Sequence, residues 1–143
     1  MKNYNLKFKI LPHTADLKIR AFGKDLKELF ENVIVGMQQA LRPEVKSHAS
    51  LKAKIKRKIK IKSNDLSSLL VDFLSKINYL NEVNKEVYNS IRFINFSNHE
   101  LEGEISGKKV ENFELIIKGV TYHGLDIHQR KDKTWEVTVL FDI

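Results

Sequence analysis

Cysteine is absent from this 143-residue sequence, and proline and glycine are scarce, with two and six residues. Without cysteine the chain can form neither a disulfide bond nor a thiolate metal site. No apolar run reaches the roughly 20 residues that a membrane-spanning helix needs. The first ten residues, MKNYNLKFKI, alternate between polar and apolar instead of forming the apolar block of a signal peptide. These absences predict a cytoplasmic protein with no membrane contact.

Positive charge exceeds negative charge, with 25 Lys and Arg against 18 Asp and Glu and a formal net charge of +7. The excess is compatible with a polyanion or an acidic protein surface as partner. A lysine-rich proteome would give the same excess without any partner, so both interpretations stay open. Length and an apolar fraction of 42% predict one soluble domain that spans residues 1–143.

Hydrophobic periodicity predicts an alternation of strands and helices in the first half of the chain. Residues 1–23 alternate as two strands, the first ended by Pro12, which cannot donate to a sheet ladder. Asp25 and Glu28 form a capping-box pattern before a helix that ends near Pro43. Its apolar positions make one stripe: Leu26, Leu29, Phe30, Val33, Met37, Ala40 and Leu41. A period-2 strand over residues 50–63 and a second helix from about Asp65 follow.

The second half of the sequence is rich in strand patterns. Alternating or β-branched stretches cover 88–97, 100–107, a long 112–128 and 134–143, and the polar RKDK at 130–133 predicts a hairpin turn. The whole pattern predicts an α+β fold, with a mainly antiparallel sheet and two helices packed on one side. A doubly wound α/β fold is disfavoured, because few helices lie between strands and no glycine-rich phosphate loop follows any strand.

The strand at 50–63 carries its lysines on one face and apolar residues on the other. Arg57 interrupts the apolar side, so we expect it near a sheet edge or with its charged end reaching out to solvent. One interpretation is a patch that follows phosphates. The other is an edge strand that uses lysine to prevent aggregation. No aromatic residue alternates with the lysines, so stacking on bases is not supported and the edge strand is favoured. The lysines are Lys52, Lys54, Lys56, Lys58, Lys60 and Lys62.

The C-terminal strand continues to the last residue. Its odd-numbered positions from 135 to 141 share an apolar face, so Asp142 projects from the opposite face, one residue before the α-carboxylate of Ile143. Two such carboxylates repel unless water, a basic side chain or a metal intervenes. A third acid would complete an all-oxygen cluster for a hard cation such as Ca²⁺ or Mg²⁺. Asp16 is a candidate, although its spacing alone favours a turn aspartate that bonds local amides.

The stretch KGVTYHG, residues 118–124, places Tyr122 and His123 before Gly124 within a predicted strand, where glycine marks a bulge or a close approach. His123 is a candidate ligand or acid–base group. The alternative, a hydrogen-bonded structural histidine, is more common. No nucleophile signature of a hydrolase is present.

These stretches, in this order, resemble the archease family. The matching pieces are HTAD at 13–16, the first helix in AFGKDLKELFEN, the second in LSSLLVDFLSKINYL, KGVTYHG at 118–124 and the terminal FDI at 141–143. They cover essentially the whole chain. Family members commonly carry an Arg-His pair before the position of Lys118, and this chain has GKKVENFEL there, so a role of that pair is not transferred.

The resemblance implies an accessory protein and not an enzyme. Archeases assist the RNA ligase that joins 2′,3′-cyclic-phosphate or 3′-phosphate ends to 5′-hydroxyl ends in tRNA splicing and RNA repair. They promote guanylylation of the ligase's active-site histidine, sustain multiple turnover and broaden nucleotide use beyond GTP. The expected partners are therefore the ligase and, through the basic surface, tRNA.

The resemblance also implies a carboxylate metal site. Carried over by motif, its ligands are Asp16, Asp142 and Ile143. The expected cofactor is Ca²⁺, with Mg²⁺ or Mn²⁺ as alternatives. His13 and Thr14 would support Asp16 without contacting the metal, and His123 is a further supporting candidate.

Two other functions stay open at this point. One is a stand-alone metal-dependent phosphoesterase with His123 as base, and the other is a basic RNA-binding module that uses the lysine strand.

Overall fold

The computed structural model describes residues 6–11, 15–45 and 54–143, and within these ranges the chain forms two α-helices and ten β-strands. The helices are α1 (Leu26–Ala40) and α2 (Leu66–Asn84). The strands are β1 (Phe8–Leu11), β2 (Asp16–Gly23), β3 (Pro43–Glu44), β4 (Ile55–Lys62), β5 (Glu86–Phe96), β6 (Glu100–Lys109), β7 (Asn112–Phe113), β8 (Gly119–Val120), β9 (His128–Gln129) and β10 (Trp135–Asp142). Neither helix of this described part is long and apolar enough to cross a membrane.

The described strands pair antiparallel in three sheets. The first sheet has the order β1-β2-β10-β8, with β9 also paired to β10; the second joins β3 to β7; the third has the order β4-β6-β5. Helix α1 packs against β2 of the first sheet and β5 of the third, and α2 packs against β5, β4 and β8. The predicted α+β class, with mainly antiparallel strands and two helices, is confirmed. The structure adds that the strands are divided among sheets and that α1 contacts both larger ones.

Both predicted helix starts are confirmed by their caps. The Asp25 carboxylate accepts a hydrogen bond from the Glu28 amide at 2.8 Å, and Glu28 in turn accepts one from the Lys24 amide at 2.9 Å. At the second helix, Asp65 accepts a hydrogen bond from the Ser68 amide at 2.8 Å, which lowers the pKa of Asp65. These local hydrogen bonds satisfy amides that the first helical turn leaves unpaired.

Helix α1 is buried over a wider surface than the single predicted stripe. Asn32, Gly36 and Gln38, which lie outside that stripe, are also buried. The reason is that the helix contacts two sheets. A Cβ built at Gly36 would lie 3.0 Å from the Phe8 ring, so a small residue is needed where α1 faces β1.

An aromatic cluster fills the space between the helices and the third sheet. Phe30 of α1 stacks on Phe73 of α2 with ring centroids 5.8 Å apart, and it meets Phe96 of β5 edge-on at 5.1 Å. Phe93 completes the cluster, 5.4 Å from Phe96. Such pairs add stabilisation beyond the apolar area they bury.

A buried carboxylate joins β4 to β5. The Glu86 side chain is 1% exposed and accepts two hydrogen bonds from Arg57, at 2.6 and 2.9 Å, and one from the Tyr88 hydroxyl at 2.6 Å. The Arg57 hydrogen bonds lower the pKa of Glu86, while burial and then the Glu86 hydrogen bond raise the pKa of Tyr88. Arg57 therefore lies on an edge strand, as predicted, and the structure explains its place on the apolar face by this partner.

The network extends into the two helices. Gln38 of α1 and Asn81 of α2 exchange side-chain hydrogen bonds at 2.6 and 3.0 Å, and Asn81 also donates to the Glu86 carbonyl oxygen. The Tyr88 amide donates to the Gln38 side chain at 3.0 Å. Buried polar groups are thus paired across four elements, which fixes the helices relative to the third sheet.

The prediction of a long strand over residues 112–128 is wrong. The structure has three two-residue strands there, β7, β8 and β9, separated by turns and irregular segments. Each short strand pairs with a different neighbour or position, β7 with β3 and the other two with separate parts of β10. The β-branched and aromatic residues of this stretch pack against the rest of the protein from an irregular segment and do not form a continuous strand.

The substitution Glu86→Gln should lower the free energy of unfolding by about 1–3 kcal/mol at neutral pH, because it removes a charged acceptor from a buried network. Since the folded-state pKa of Glu86 lies below its ordinary value, the wild-type advantage is full above about pH 4.5 and is lost as the pH falls through the lowered pKa. Chemical denaturation of both proteins at pH 7 and pH 3 measures this. The exposed Glu82→Gln is the matched control, expected to change stability by less than about 0.5 kcal/mol. Equal losses of stability in Glu86→Gln and Glu82→Gln would contradict the stabilising role of the buried Glu86 carboxylate.

Candidate functional site

The last strand of the chain lies inside the first sheet, between β2 and β8. Strands β2 and β10 pair over eight consecutive positions, from Trp135 with Gly23 to Asp142 with Asp16. Phe141, paired with Leu17, is fully buried. The side chains of the next pair therefore project from the opposite face of the sheet. The register places the two aspartates directly across from each other, although they lie near opposite ends of the sequence.

On its other side Asp142 faces a glycine. Strand β8 pairs Gly119 with Asp142, and the Lys118 amide donates to the Asp142 carbonyl oxygen at 2.7 Å. A Cβ built at Gly119 would lie 3.9 Å from the Asp142 Oδ2 atom, so the glycine leaves space beside this carboxylate. Ile143, 39% exposed, adds its α-carboxylate at the next position. The strand end is held on both sides while its acidic groups stay accessible.

The arrangement concentrates negative charge. Directly opposite residues of an antiparallel pair have Cβ atoms about 4.5–5.5 Å apart, and like charges at such positions are destabilising. Lys18, two residues from Asp16 on the same face, supplies one positive charge nearby. Carboxylate oxygens are the ligands that hard divalent cations prefer. The donor set fits such a cation in its chemistry, and the metal-binding role of Asp16, Asp142 and Ile143 stays a prediction.

A cavity of about 360 Å³ opens beside Asp16, and His123 lines it together with Lys18, Gly124, Thr138 and Leu140. The structure therefore brings His123 and Asp16 to one surface depression. The supporting role predicted for His123 stays a prediction.

His123 lies in a turn and not in the predicted strand. Gly124 adopts a φ of +66°, a left-handed conformation that glycine adopts without strain, and the Leu125 amide donates to the Tyr122 carbonyl oxygen at 3.1 Å. The His123 amide donates to the Thr121 hydroxyl at 3.3 Å. The glycine is thus needed for a turn that presents an exposed histidine, and the expected mid-strand bulge is not formed.

Two supporting residues named from the sequence, His13 and Thr14, lie outside the described residues. Among residues 6–11, 15–45 and 54–143, no group of three or more His, Cys, Asp or Glu side chains is arranged to hold a metal ion. The predicted ligand set is not a group of three side chains. It consists of two aspartate side chains and the α-carboxylate of the last residue.

The lysine strand is an edge strand, as favoured from the sequence, because β4 is outermost in the third sheet. Its neighbour β6 carries glutamates on the same face, and Lys62, Lys60 and Lys58 stand opposite Glu100, Glu102 and Glu104. The alternation ELEGE at 100–104 was visible in the sequence but was not matched to the lysines. Lys118 and Gly119 belong to the stretch KGVTYHG noted in the sequence, but their contacts with Asp142 were not predicted.

Comparison with known proteins gives one consistent result. A model of the archease protein family matches residues 8–143. The protein archease of Methanosarcina barkeri is 36% identical over 151 aligned residues, and the alignment covers all of both chains. An archease-like protein of Dictyostelium discoideum is 27% identical over 153 aligned residues, again over the full length of both.

Two solved structures are similar in fold. The solution structure of Methanobacterium thermoautotrophicum protein 1598 has a TM-score of 0.67 at 26% identity, covering 95% of this chain and 98% of that one. The crystal structure of a Thermotoga maritima archease, a possible chaperone, has a TM-score of 0.62 at 18% identity, covering 99% and 100%. The second likeness concerns the fold alone.

We expect calcium to raise the melting temperature of the wild-type protein and not that of Asp142→Asn, because a ligand that binds only the folded state stabilises it by about 2.7 kcal/mol at 100 times its Kd. In chelator, Asp142→Asn should melt at or above the wild-type temperature, since one of two opposed charges is gone. Glu111→Gln, at an exposed position outside the group of Asp16, Asp142 and Ile143, which we call the acidic tip, is the control and should respond to calcium like the wild type. A calcium response that survives Asp142→Asn would contradict the predicted ligand set.

Proposed function

The chain belongs to the archease family, and from this premise we propose that it is an accessory protein of an RNA ligase and not an enzyme. The proposed partner joins 2′,3′-cyclic-phosphate or 3′-phosphate ends to 5′-hydroxyl ends in tRNA splicing and RNA repair. The chain would promote guanylylation of the ligase's active-site histidine, sustain multiple turnover and broaden nucleotide use. This assistance is chaperone-like, in that the chain acts on another protein and is not consumed.

The observation that supports this proposal is the pairing of Asp16 with Asp142 at an exposed sheet end. These two carboxylates and the α-carboxylate of Ile143 would hold a divalent cation, with Ca²⁺ proposed first and Mg²⁺ or Mn²⁺ as alternatives. A divalent cation held by these carboxylates would supply positive charge that stabilises the charge developing on phosphate in nucleotidyl transfer. The acidic tip is thereby suited to act on the metal and phosphate chemistry of a partner.

The protein's own contribution is rigidity. The buried pair Phe141 and Leu17 anchors the register one step before the aspartates. The Lys118 amide holds the backbone of Asp142 from the other side, at 2.7 Å. A cluster of like charges on a mobile tail would separate, whereas here the ladder keeps it together. Preorganised charge of this kind can be presented to a partner without further ordering cost.

Charge elsewhere on the surface favours association with an acidic partner. The net charge of +7 would speed encounter with an acidic ligase surface or with tRNA. Docking through basic regions would then bring the acidic tip to the ligase's reaction centre.

A stand-alone metal-dependent phosphoesterase is the second candidate. The observation in its favour is that His123, a candidate base, lines the same cavity as Asp16. Turnover of phosphoesters by the purified chain, abolished in His123→Ala, would establish this function. Absence of turnover at calcium, magnesium and manganese concentrations that saturate the chain would leave the accessory role.

The direct test of the proposal is a guanylylation assay with a purified ligase, with and without this chain. Asp16→Ala should reduce the stimulation by at least about tenfold, because one ligand of the tip is lost. Circular dichroism and thermal melting should show that the variant is folded. Glu111→Ala removes an acid outside the tip and should stimulate like the wild type. Full stimulation by folded Asp16→Ala would refute the proposal.

A further inference from the structure

The lysine face of the third sheet has two unlike halves. At one end Lys58, Lys60 and Lys62 each stand opposite a glutamate of β6. At the other end this pairing stops, because Lys56 stands opposite Ser106. We call the first half compensated because each of its lysines has a glutamate directly opposite. In the second half Lys56 reaches Glu104 only diagonally, at 4.0 Å.

Beyond Lys56 the charges become alike. The last pair of the ladder is Ile55 with Gly107, so Lys54, which precedes one, and Lys108, which follows the other, lie next to each other across its end. Like charges in this position repel and favour a counter-ion of opposite sign. The nearest carboxylate on this face is shared, since Glu104 lies 4.0 Å from Lys56 and 3.7 Å from Arg92.

A β-bulge lies at this end and adds polar groups. The register of β5 on β6 shifts between Tyr88 and Ser90, and Asn89 and Ser90 are both exposed. A cavity of about 500 Å³ lies here. Its polar lining, which we call the basic end, consists of Lys54, Lys56, Lys108, Asn89, Ser90 and Ser106.

We propose that the basic end binds the phosphate backbone of single-stranded nucleic acid without reading its bases. Lysine ammonium, hydroxyl and amide groups are the side chains that contact phosphate oxygens in such complexes. Among the described residues that line the cavity there is no aromatic side chain, so base stacking makes no contribution. No large apolar side chain lines it either, whereas the core of a protein–protein interface is apolar. The choice of RNA as probe rests on the proposed function, but the proposed site does not.

The test is the binding of a fluorescent 12-residue oligouridylate, measured by anisotropy from 50 to 200 mM salt with no ligase present. One variant carries Lys54→Gln, Lys56→Gln and Lys108→Gln. The matched control carries Lys58→Gln, Lys60→Gln and Lys62→Gln, which removes the same charge from the compensated half. The first variant should make the negative slope of log K against log salt less steep, lowering its magnitude by about 2, since each lost phosphate contact contributes about 0.7. The control should lower it by less than about 1.

A variant that binds RNA more tightly than the wild type completes the test, because misfolding cannot explain a gain in affinity. Glu104→Gln removes the shared carboxylate and should tighten RNA binding at 50 mM salt severalfold. Oligoadenylate should bind like oligouridylate, because the bases are not contacted.

Equal losses in the two triple variants, no RNA binding by the wild type, or displacement of RNA by an oligoglutamate of equal charge would overturn the proposal. Asp16→Ala should retain wild-type RNA binding, so failure of this inference and failure of the ligase role give different results.

Discussion

The antiparallel pairing of β2 with β10 is the constraint on which the rest of the account depends. Side chains alternate between faces with a period of two, so a slip of one residue would turn every side chain of β10 to the other face. Val137, Val139 and Phe141 are fully buried and fix the register by their packing against α1 and the rest of the core. In the alternative register an aspartate would enter that core without a partner, at a cost of several kcal/mol. Hydrophobic burial therefore determines the position of two carboxylates that make no contribution to the core.

Opposite charges lie close together at several cross-strand positions of the two larger sheets. Across β4 and β6 lysine faces glutamate, and elsewhere Arg20 of β2 lies 3.5 Å from Glu136 of β10. Like charges also stand across from each other: Asp16 and Asp142, Lys9 and Arg20 in the ladder of β1 and β2, and Lys54 and Lys108 beyond the end of β4. The aspartates and the two lysines lie where a ladder ends, whereas Lys9 and Arg20 lie within one. At the two ladder ends we propose ligands of opposite sign, a cation beside the aspartates and a phosphate chain beside the lysines.

Local features of this fold could be predicted from the sequence, and non-local ones could not. Asp25 and Asp65 begin helices because their carboxylates bond amides three residues away. The alternation of apolar and polar residues in β10 could also be predicted from the sequence. Arg57 remained unexplained because its partner, Glu86, belongs to another strand, and no spacing rule connects them. The irregular path of 112–128 was missed because β-branched residues there suggested a continuous strand.

At the candidate site, too, local features could be predicted from the sequence and non-local ones could not. Pattern alone placed Asp142 on the outer face beside Ile143, but only a family resemblance connected them with Asp16. The pairing of β2 with β10 joins the two ends of the chain, and its register depends on packing by the core as a whole. The contribution of Lys118 and Gly119 arises from a two-residue strand that has no periodicity to detect.

The most direct test of the central claim is a crystal structure of the chain grown with calcium, with anomalous data to locate the ion. The account predicts an ion about 2.3–2.6 Å from oxygen atoms of Asp16, Asp142 and the terminal carboxylate of Ile143. A structure at saturating calcium in which the acidic tip is ordered but holds no ion would contradict the account. An ion bound only by other residues would contradict it as well.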